Sequence, residues 1–347
     1  MKPVSAATLA KRLGLHIAKP ASLTIRRKPE GESWTYWSGH GRRISDKRVV
    51  LRLNKLAMPP AYEDVRLAAD ARAHIQAIGR DAAGRLQYRY HQDWEKVRDI
   101  RKAQKLIDLV GVLPRIRRAL AAKLGEDALS REFALAAIIE LIAASAIRAG
   151  SEEYARENKT RGAATLLKAN VRCGEDDTIL LCFRAKGGKQ VRKEVKHARL
   201  CTAIGRLREL PGARMFQFRG VDGAVRAANA ADANAYLREI AGCPISLKDF
   251  RTLCGTAEVI ETLAAIEPAK NARLRRKQIV EAIKAAAKTL ENTPAVCRKS
   301  YVQSAVLTAF EAGMLKEFAT VLKAARSSTP AQNAVGAVLE ASAAAAA

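Results

Sequence analysis

The segment from Asn292 to Tyr301 combines residue types and a spacing that could carry out chemistry. Thr293 followed by Pro294 is typical of a helix start, with a capping hydroxyl before a proline at the first helical position. Asn292 then lies just outside the helix, and Tyr301 lies about two turns inside it. A phenol is a candidate nucleophile and an amide is a candidate hydrogen-bond donor. By residue type alone, however, a tyrosine is more often a packing residue, and an asparagine before a helix is often only a cap.

Motifs of the common phosphate and metal chemistries are absent from the sequence. Gly187-Gly188-Lys189 lacks the other residues of a P-loop, and no glycine-rich dinucleotide-binding motif follows a predicted strand. The sequence also lacks a cluster of carboxylates like that of a two-metal nuclease. The six cysteines form no C-x-x-C pair, and the histidines are scattered. We therefore expect free thiols, no bound metal and no small-molecule cofactor.

The charge of the chain indicates a polyanionic partner. Lys and Arg number 61 against 35 Asp and Glu, which gives a net charge of +26 and a pI near 10.2. Such an excess of positive charge attracts nucleic acid. It also argues against the default interpretation of the chain as an ordinary neutral metabolic enzyme. A membrane surface would favour a clustered basic segment, whereas here the charge is spread, and no apolar run approaches the roughly 18 residues of a membrane span. We expect nucleic acid as partner, no membrane, and a cytoplasmic location without a signal peptide.

A basic protein that lacks the motifs above is either a DNA binder or an enzyme that uses side chains alone on the phosphodiester. The second option requires cations around the phosphate, a nucleophile, and a general acid for the leaving oxygen.

The hydrophobic patterning predicts an α+β protein with three regions. Residues 1–95 are predicted to form a β-rich domain, with strands at Ser22–Arg26, Trp34–Trp37 and Val49–Leu53 and a hairpin around the turn Asp81–Gly84. Residues 96–326 are predicted to form a mainly helical domain, with helices at Val97–Leu109, Leu113–Leu124 and Arg131–Ile147. Residues 327–347 are rich in Ala and Ser, and we expect weak order there.

Two local features of the helical domain matter for the chemistry. The run Thr178–Ala185, the glycine-containing turn Lys186–Lys189 and the return Gln190–Val195 predict a second hairpin. Ser246-Leu-Lys-Asp249 fits a capping box with Asp in place of Glu, so a helix is predicted to begin there.

Several ordered motifs resemble those of the type IB DNA topoisomerases, in particular the small bacterial branch related to the poxvirus enzymes. The resemblance covers roughly residues 20–325. It rests on these motifs: Pro59-Pro60-Ala61, His74–Asp81, Gln87–His91, Ile147–Gly150, Leu210–Gly212, Lys248–Thr252 and Asn292–Tyr301.

The resemblance implies relaxation of supercoiled duplex DNA by transient cleavage of one strand. In that family a tyrosine hydroxyl attacks the strand and forms a 3′-phosphotyrosyl bond, the free end swivels, and the reverse reaction reseals the strand. Neither ATP nor a metal is implied. The fold implied is a β-rich amino-terminal domain and a mainly helical catalytic domain that form a C-shaped clamp on duplex DNA.

The resemblance also implies roles for five side chains. Tyr301 matches the nucleophile, and Arg148 and Arg251 match the two arginines that clamp the phosphate. A planar guanidinium suits that role because it donates to two oxygens and stays charged. Lys186 matches the general acid, but its local turn departs from the family pattern, so Lys189 stays an alternative. Asn292 stands where other members carry histidine, and its amide N–H could bond a nonbridging oxygen.

Further residues are implied to contact DNA. Gln87, Tyr88 and Tyr90 match a strand that contacts the groove, and alternation places the two tyrosines on one face. Ordinary packing in a small sheet is the alternative for both tyrosines. Lys248 lies one helical turn before Arg251 and could add a contact near the same phosphate.

Two other functions stay open at this point. A tyrosine site-specific recombinase shares the chemistry, although it usually carries His-x-x-Arg where this chain has Lys248-x-x-Arg251. A basic DNA-binding protein without activity would bind tightly but cleave nothing. We expect a monomer that associates with the nucleoid.

Overall fold

The structure is a computed structural model, and it describes residues 4–318 and 330–345. The chain divides into two compact units, Met1–Gln104 and Lys105–Ala347. Among the described residues, no helix combines the length and the apolar character needed to cross a membrane.

The amino-terminal unit is built on a five-stranded antiparallel sheet in the order β2-β1-β3-β4-β5. The strands are β1 (Ile25–Glu30), β2 (Ser33–Trp37), β3 (Glu63–Leu67), β4 (Ile75–Arg80) and β5 (Leu86–Tyr90), and the short helices are α1 (Ala6–Arg12) and α2 (Lys47–Lys55). The predicted hairpin around Asp81–Gly84 is confirmed, since β4 pairs with β5 and Ile78 lies opposite Tyr88. One core cluster of this unit contains Ile25, Tyr36, Leu53, Val65, Leu67 and Ala77, and a second contains Leu23, Ala68, Ala73, Ile75 and Ile78.

The predicted strand at Val49–Leu53 is wrong, because these residues lie in α2. The Asp46 carboxylate caps the helix by accepting from the backbone N–H of Arg48 and Val49. β-branched residues favoured a strand, but the cap and the spacing of Val49 and Leu53, four residues apart, favour a helix that buries Leu53 in the core.

The predicted pair of helices over 97–124 is a single helix, α3 (Gln92–Leu124), with Pro114 inside it. Apolar residues continue at helical spacing on both sides of the proline, and Leu106, Leu109, Leu113 and Ile116 are all buried. Burial of this stripe outweighs the intrahelical hydrogen bond that the proline removes.

The second unit packs helices around α4 (Arg131–Ser145), which is buried on nearly every side. Besides most of α3, this unit contains the helices α5 (Glu152–Asn158), α6 (Ala198–Arg208), α7 (Ala230–Ala241), α8 (Leu247–Ala264), α9 (Ala272–Thr289), α10 (Pro294–Tyr301) and α11 (Ser304–Glu311). A helix that is apolar all round has no solvent face, so α4 forms the centre of this unit.

Two small antiparallel sheets complete the second unit. One contains β6 (Val171–Cys173), β7 (Thr178–Arg184) and β8 (Gln190–Lys196) in that order, and the other pairs β9 (Gln217–Arg219) with β10 (Val225–Ala227). The predicted hairpin of β7 and β8 is confirmed, with the turn at Lys186–Lys189.

The expectation of weak order over residues 327–347 is wrong for 330–345, which form a helix, α12 (Pro330–Ala345). Val335, Val338 and Leu339 are buried, and the helix packs against α8. Alanine has the highest helix propensity, and these three residues give the alanine-rich segment an apolar face to bury.

Candidate active site

The segment that carries the predicted nucleophile has the local geometry expected from the sequence. The Thr293 hydroxyl accepts from the backbone N–H of Val296 at 3.3 Å, and Pro294 is the first residue of α10. Tyr301 is the last residue of that helix and is only 8 % exposed. Asn292 lies just outside the helix, as predicted.

Helix α8 brings two cations to the phenol. Its capping box is present, since the Ser246 backbone N–H donates to the Asp249 carboxylate at 2.8 Å. The Arg251 guanidinium carbon lies 4.9 Å from the centre of the Tyr301 ring, and the Lys248 ammonium lies 5.8 Å from it. The spacing of three residues places both cations on the helix face that meets Tyr301.

Arg251 connects two backbone segments next to the site through hydrogen bonds. It is only 3 % exposed, and its two terminal nitrogens donate to the backbone carbonyls of Ala146 and Leu290. Ala146 directly follows α4, and Leu290 directly follows α9. The third nitrogen, Nε of Arg251, is buried without a hydrogen-bond partner. A buried guanidinium N–H without a partner is costly, so this donor indicates a place for an acceptor such as a phosphate oxygen.

Arg148 is held in place by a close approach of two backbone segments. Its carbonyl accepts from the Ala163 N–H at 2.8 Å, and Gly162 lies so close that a Cβ there would stand 2.6 Å from the Arg148 carbonyl oxygen. Gly150, with φ of +90°, allows the chain to turn beside Gly162.

The side chains of Arg148 and Asn292 are hydrogen-bonded, with Nη2 of Arg148 donating to Oδ1 of Asn292. Arginine has no acceptor, so the amide oxygen must face it and the amide nitrogen must face away. That nitrogen, Nδ2 of Asn292, is buried without a hydrogen-bond partner. Asn292 and Arg251 thus each keep one buried nitrogen that donates to no acceptor.

The charges around Tyr301 change its acidity. Burial alone would raise the pKa of the phenol, but the cations Arg251, Arg148 and Lys248 outweigh burial and lower that pKa below its ordinary value. Burial also lowers the pKa of the Arg251 guanidinium, which stays charged at neutral pH because an arginine pKa begins above 12. The phenol is therefore easier to ionise here than in water.

A small cavity beside these residues is lined by four cations. Arg148 and Arg251 share its lining with Arg161 and Lys193, and Glu291 is the one carboxylate among the lining residues of that cavity. The excess of positive charge makes the cavity attractive to an anion such as a phosphodiester.

The two candidate general acids lie at the tip of the β7–β8 hairpin and differ in their contacts. The exposed Lys186 places its ammonium 4.9 Å from the centre of the Tyr154 ring. Lys189 forms an ion pair with Glu291 at 2.5 Å. Arg251 contacts the Tyr301 ring and Arg148 is hydrogen-bonded to Asn292, whereas Lys186 contacts Tyr154 instead.

Sequence reasoning missed Lys193 and Glu291. Lys193 is half-buried, and its ammonium donates to the Thr289 carbonyl at 2.8 Å. Burial lowers the pKa of this lysine. The alternation of β8, where Val191 is buried two residues before Lys193, indicates an inward lysine. No comparable signal marks Glu291, whose partner comes from a distant hairpin.

In the amino-terminal unit, Tyr88 and Tyr90 lie on one face of β5, as predicted. Their rings stack with centres 5.8 Å apart, and the Tyr90 ring also stacks on Trp94 at 6.3 Å. Tyr88 is 41 % exposed, so it is not a core residue. The Gln87 amide donates to the Asp81 carboxylate at 2.9 Å, and Arg85 together with Gln87 holds the pKa of Asp81 down at about 2.

The helical fold, the buried tyrosine and the surrounding arginines are features of one class of enzyme. The similarity of the chain to known protein families identifies that class. The family described as eukaryotic DNA topoisomerase I, catalytic core, matches residues 91–326. The family described as bacterial DNA topoisomerase IB, N-terminal domain, matches residues 33–81. The chain is also 29 % identical over 294 residues to the DNA topoisomerase 1B of Acanthamoeba polyphaga mimivirus, across 83 % of this chain and 87 % of that one.

The chain belongs to the type IB DNA topoisomerase family and is a type I DNA topoisomerase that binds duplex DNA. The predicted family is confirmed, and so is the predicted α+β fold class with a β-rich amino-terminal domain and a mainly helical second domain. The alternatives of a recombinase and of a non-catalytic DNA binder are not favoured, because both domains match topoisomerase families.

Proposed function

We propose that the protein relaxes supercoiled duplex DNA through a covalent bond between Tyr301 and a 3′ phosphate, without ATP and without a metal ion. One observation carries this proposal: a buried phenol lies among three cations, beside two buried donors, Nε of Arg251 and Nδ2 of Asn292, that have no partner. Donors fixed in place before the reaction stabilise charge that develops on phosphate oxygens, and they do so most strongly in a site that excludes water.

In the cleavage step, the Tyr301 oxygen bonds to phosphorus and loses its proton to water, and the bond from phosphorus to the 5′ oxygen breaks. Arg148 and Arg251 hold the nonbridging oxygens, and Asn292 donates to one of them. Lys186 supplies the proton that converts the 5′ oxygen into a hydroxyl. Resealing is the reverse reaction, so the energy of the broken bond is kept in the phosphotyrosyl bond.

The DNA duplex would contact both units. On the amino-terminal unit, the exposed ring of Tyr88 and the stacked Tyr90, with Gln87 on the same strand, offer a polar and aromatic edge to a groove. On the catalytic unit, Lys248 adds a cation beside Tyr301. We propose further that the enzyme acts as a monomer on the nucleoid in the cytoplasm.

The decisive experiment is relaxation of supercoiled plasmid in EDTA without ATP. Wild type is expected to relax plasmid of either sign and to form a covalent adduct with DNA, while Tyr301→Phe binds DNA but does neither. Tyr236→Phe is the matched control, because Tyr236 is a half-buried tyrosine of α7 outside the site, and it should keep full activity. Relaxation by Tyr301→Phe, or a requirement of wild type for a metal ion, would overturn the proposal.

A further inference from the structure

The segment that presents Asn292 ends α9 in an unusual way. The Glu291 N–H donates to the Lys288 carbonyl at 3.1 Å, and the Asn292 N–H donates to the Ala287 carbonyl at 2.9 Å. These two bonds are those of a Schellman motif, whose left-handed residue is most often glycine. Here that residue is Glu291, with φ of +54°. A glutamate is less favourable than glycine in this conformation, which points to a use for its side chain.

The Glu291 side chain has a charged partner that explains why a glutamate is useful at this position. The Glu291 carboxylate pairs with the Lys189 ammonium at 2.5 Å. Four residues further along the chain, in β8, Lys193 donates to the carbonyl of Thr289, at the end of α9. A cation at the C-terminal end of a helix is favourable because the last carbonyls there lack intrahelical partners.

Both contacts join the same two pieces of the protein. Lys189 directly precedes β8 and Lys193 lies within it, so both belong to the β7–β8 hairpin, which carries Lys186 at its turn. Glu291 and Thr289 belong to the segment that leads into α10, where Tyr301 lies. The hairpin with the proposed proton donor is thus attached to the segment with the proposed nucleophile.

We propose that Lys189 and Glu291, supported by Lys193, are positioning residues that fix the hairpin bearing Lys186 relative to Asn292 and Tyr301. The proposal rests on the proposed function. A general acid must lie within hydrogen-bond reach of the oxygen it protonates, and a displacement of about 1 Å can cost a large factor in rate. The ion pair also occupies Lys189, which leaves Lys186 as the lysine of the turn that is available to donate the proton.

A change of the leaving group in the DNA distinguishes a role in positioning Lys186 from a purely structural role. A DNA strand with sulfur in place of the 5′ bridging oxygen leaves as a thiolate, which needs no proton. Lys186→Ala should therefore cleave the oxygen substrate slowly and the sulfur substrate at the wild-type rate. Any variant that only misplaces Lys186 should behave in the same way, whereas a variant that disturbs Arg251 or Asn292 should be slow on both substrates.

Glu291→Gly and Glu291→Gln are the test variants. Glycine fits the left-handed backbone, so Glu291→Gly should unfold at the same temperature as wild type or higher, yet cleave the oxygen substrate more slowly. The ion pair favours the hairpin held in place over the displaced hairpin, and an exposed ion pair shifts an equilibrium of this kind by about fivefold at most. We therefore expect a fall of about two- to fivefold in the single-turnover rate of adduct formation. The sulfur substrate should restore the wild-type rate for both variants.

A charge swap and a surface control complete the experiment. Lys189→Glu combined with Glu291→Lys should recover the oxygen-substrate rate that Glu291→Lys alone loses. Glu281→Gln, which removes an exposed glutamate of α9 that pairs with Lys284, should have no effect on cleavage.

The outcomes distinguish the two proposals. If wild type forms an adduct through Tyr301 but Glu291→Gly and Glu291→Gln cleave both substrates at the wild-type rate, the positioning role is refuted while the proposed function stands. The role is also refuted if both variants are equally slow on both substrates. If wild type forms no adduct at all, the proposed function itself has failed.

Discussion

Arg148 and Asn292 lie 144 residues apart in the sequence, yet the guanidinium of the first donates to the amide oxygen of the second. This bond fixes which way the Asn292 amide faces, because arginine can only donate. Arg148 therefore has two roles in the proposed mechanism: it neutralises charge on the phosphate, and it orients a second donor towards the same phosphate.

Asn292→Asp should be more damaging than Asn292→Ala. Aspartate keeps the shape of the side chain, but it pairs with Arg148 and places a negative charge where a phosphate oxygen should bind. Removing one donor to the transition state typically costs about 10²- to 10³-fold in rate, so Asn292→Ala should lose about that much and Asn292→Asp more. The measurement is the single-turnover rate of adduct formation with a duplex that cannot religate.

The control for this charge change is Asn271→Asp. Asn271 caps the first turn of α9, and aspartate caps a helix equally well. This variant should cleave like wild type. A faster rate for Asn292→Asp than for Asn292→Ala would contradict the orientation of the amide.

Arg148→Ala and Arg251→Ala should differ in stability although both lose activity. Each variant should lose about 10²-fold or more in cleavage rate. Arg251 is buried and satisfies the carbonyls of Ala146 and Leu290, so its removal should also lower the free energy of unfolding by about 1–3 kcal/mol. Arg148 is only half-buried, and its loss should change stability little.

Urea denaturation of both variants beside the cleavage assay tests this contrast. Equal stability of the two variants would show that the contacts of Arg251 with the two carbonyls do not support the fold.

Local signals in the sequence were sufficient to predict several parts of this site. Thr293-Pro294 and Ser246–Asp249 determine where α10 and α8 begin, because capping depends only on neighbouring residues. The relation of Lys189 to Glu291 was not predictable, since it depends on the tertiary approach of a hairpin to the end of a distant helix. Residues 49–53 were misread for another reason: β-branched residues fit either a strand or a buried helix face, and packing decides between them.

Gly162→Ala should disturb the active site without touching any reactive group. An added Cβ would stand 2.5 Å from the Gly150 nitrogen and 2.6 Å from the Arg148 carbonyl, so the backbone that carries Arg148 must shift. Overpacking of this kind typically costs about 1–3 kcal/mol in stability, and the displaced guanidinium should reduce the cleavage rate as well.

The matched control is Gly205→Ala on α6. Apart from its chain neighbours and its own helix backbone, a Cβ at Gly205 meets no atom within 4 Å, and alanine is the better helix former, so this variant should be at least as stable as wild type and fully active. A Gly162→Ala protein with wild-type stability and rate would show that the close approach does not hold Arg148.

The pH dependence of cleavage should report the ionisation of Tyr301. The ionised phenol is the stronger nucleophile, so the single-turnover rate should rise with pH. Because nearby cations lower the pKa of Tyr301, this rise should be centred below the ordinary pKa of a tyrosine. Lys248→Gln removes one of those cations, so the pKa of Tyr301 should increase and the rise in rate should move to higher pH, with a lower rate at neutral pH.

Lys284→Gln is the control for this shift. It removes an exposed lysine of α9 and should leave the pH profile of the cleavage rate unchanged. A Lys248→Gln profile that coincides with wild type, or that moves to lower pH, would show that Lys248 does not act on the phenol.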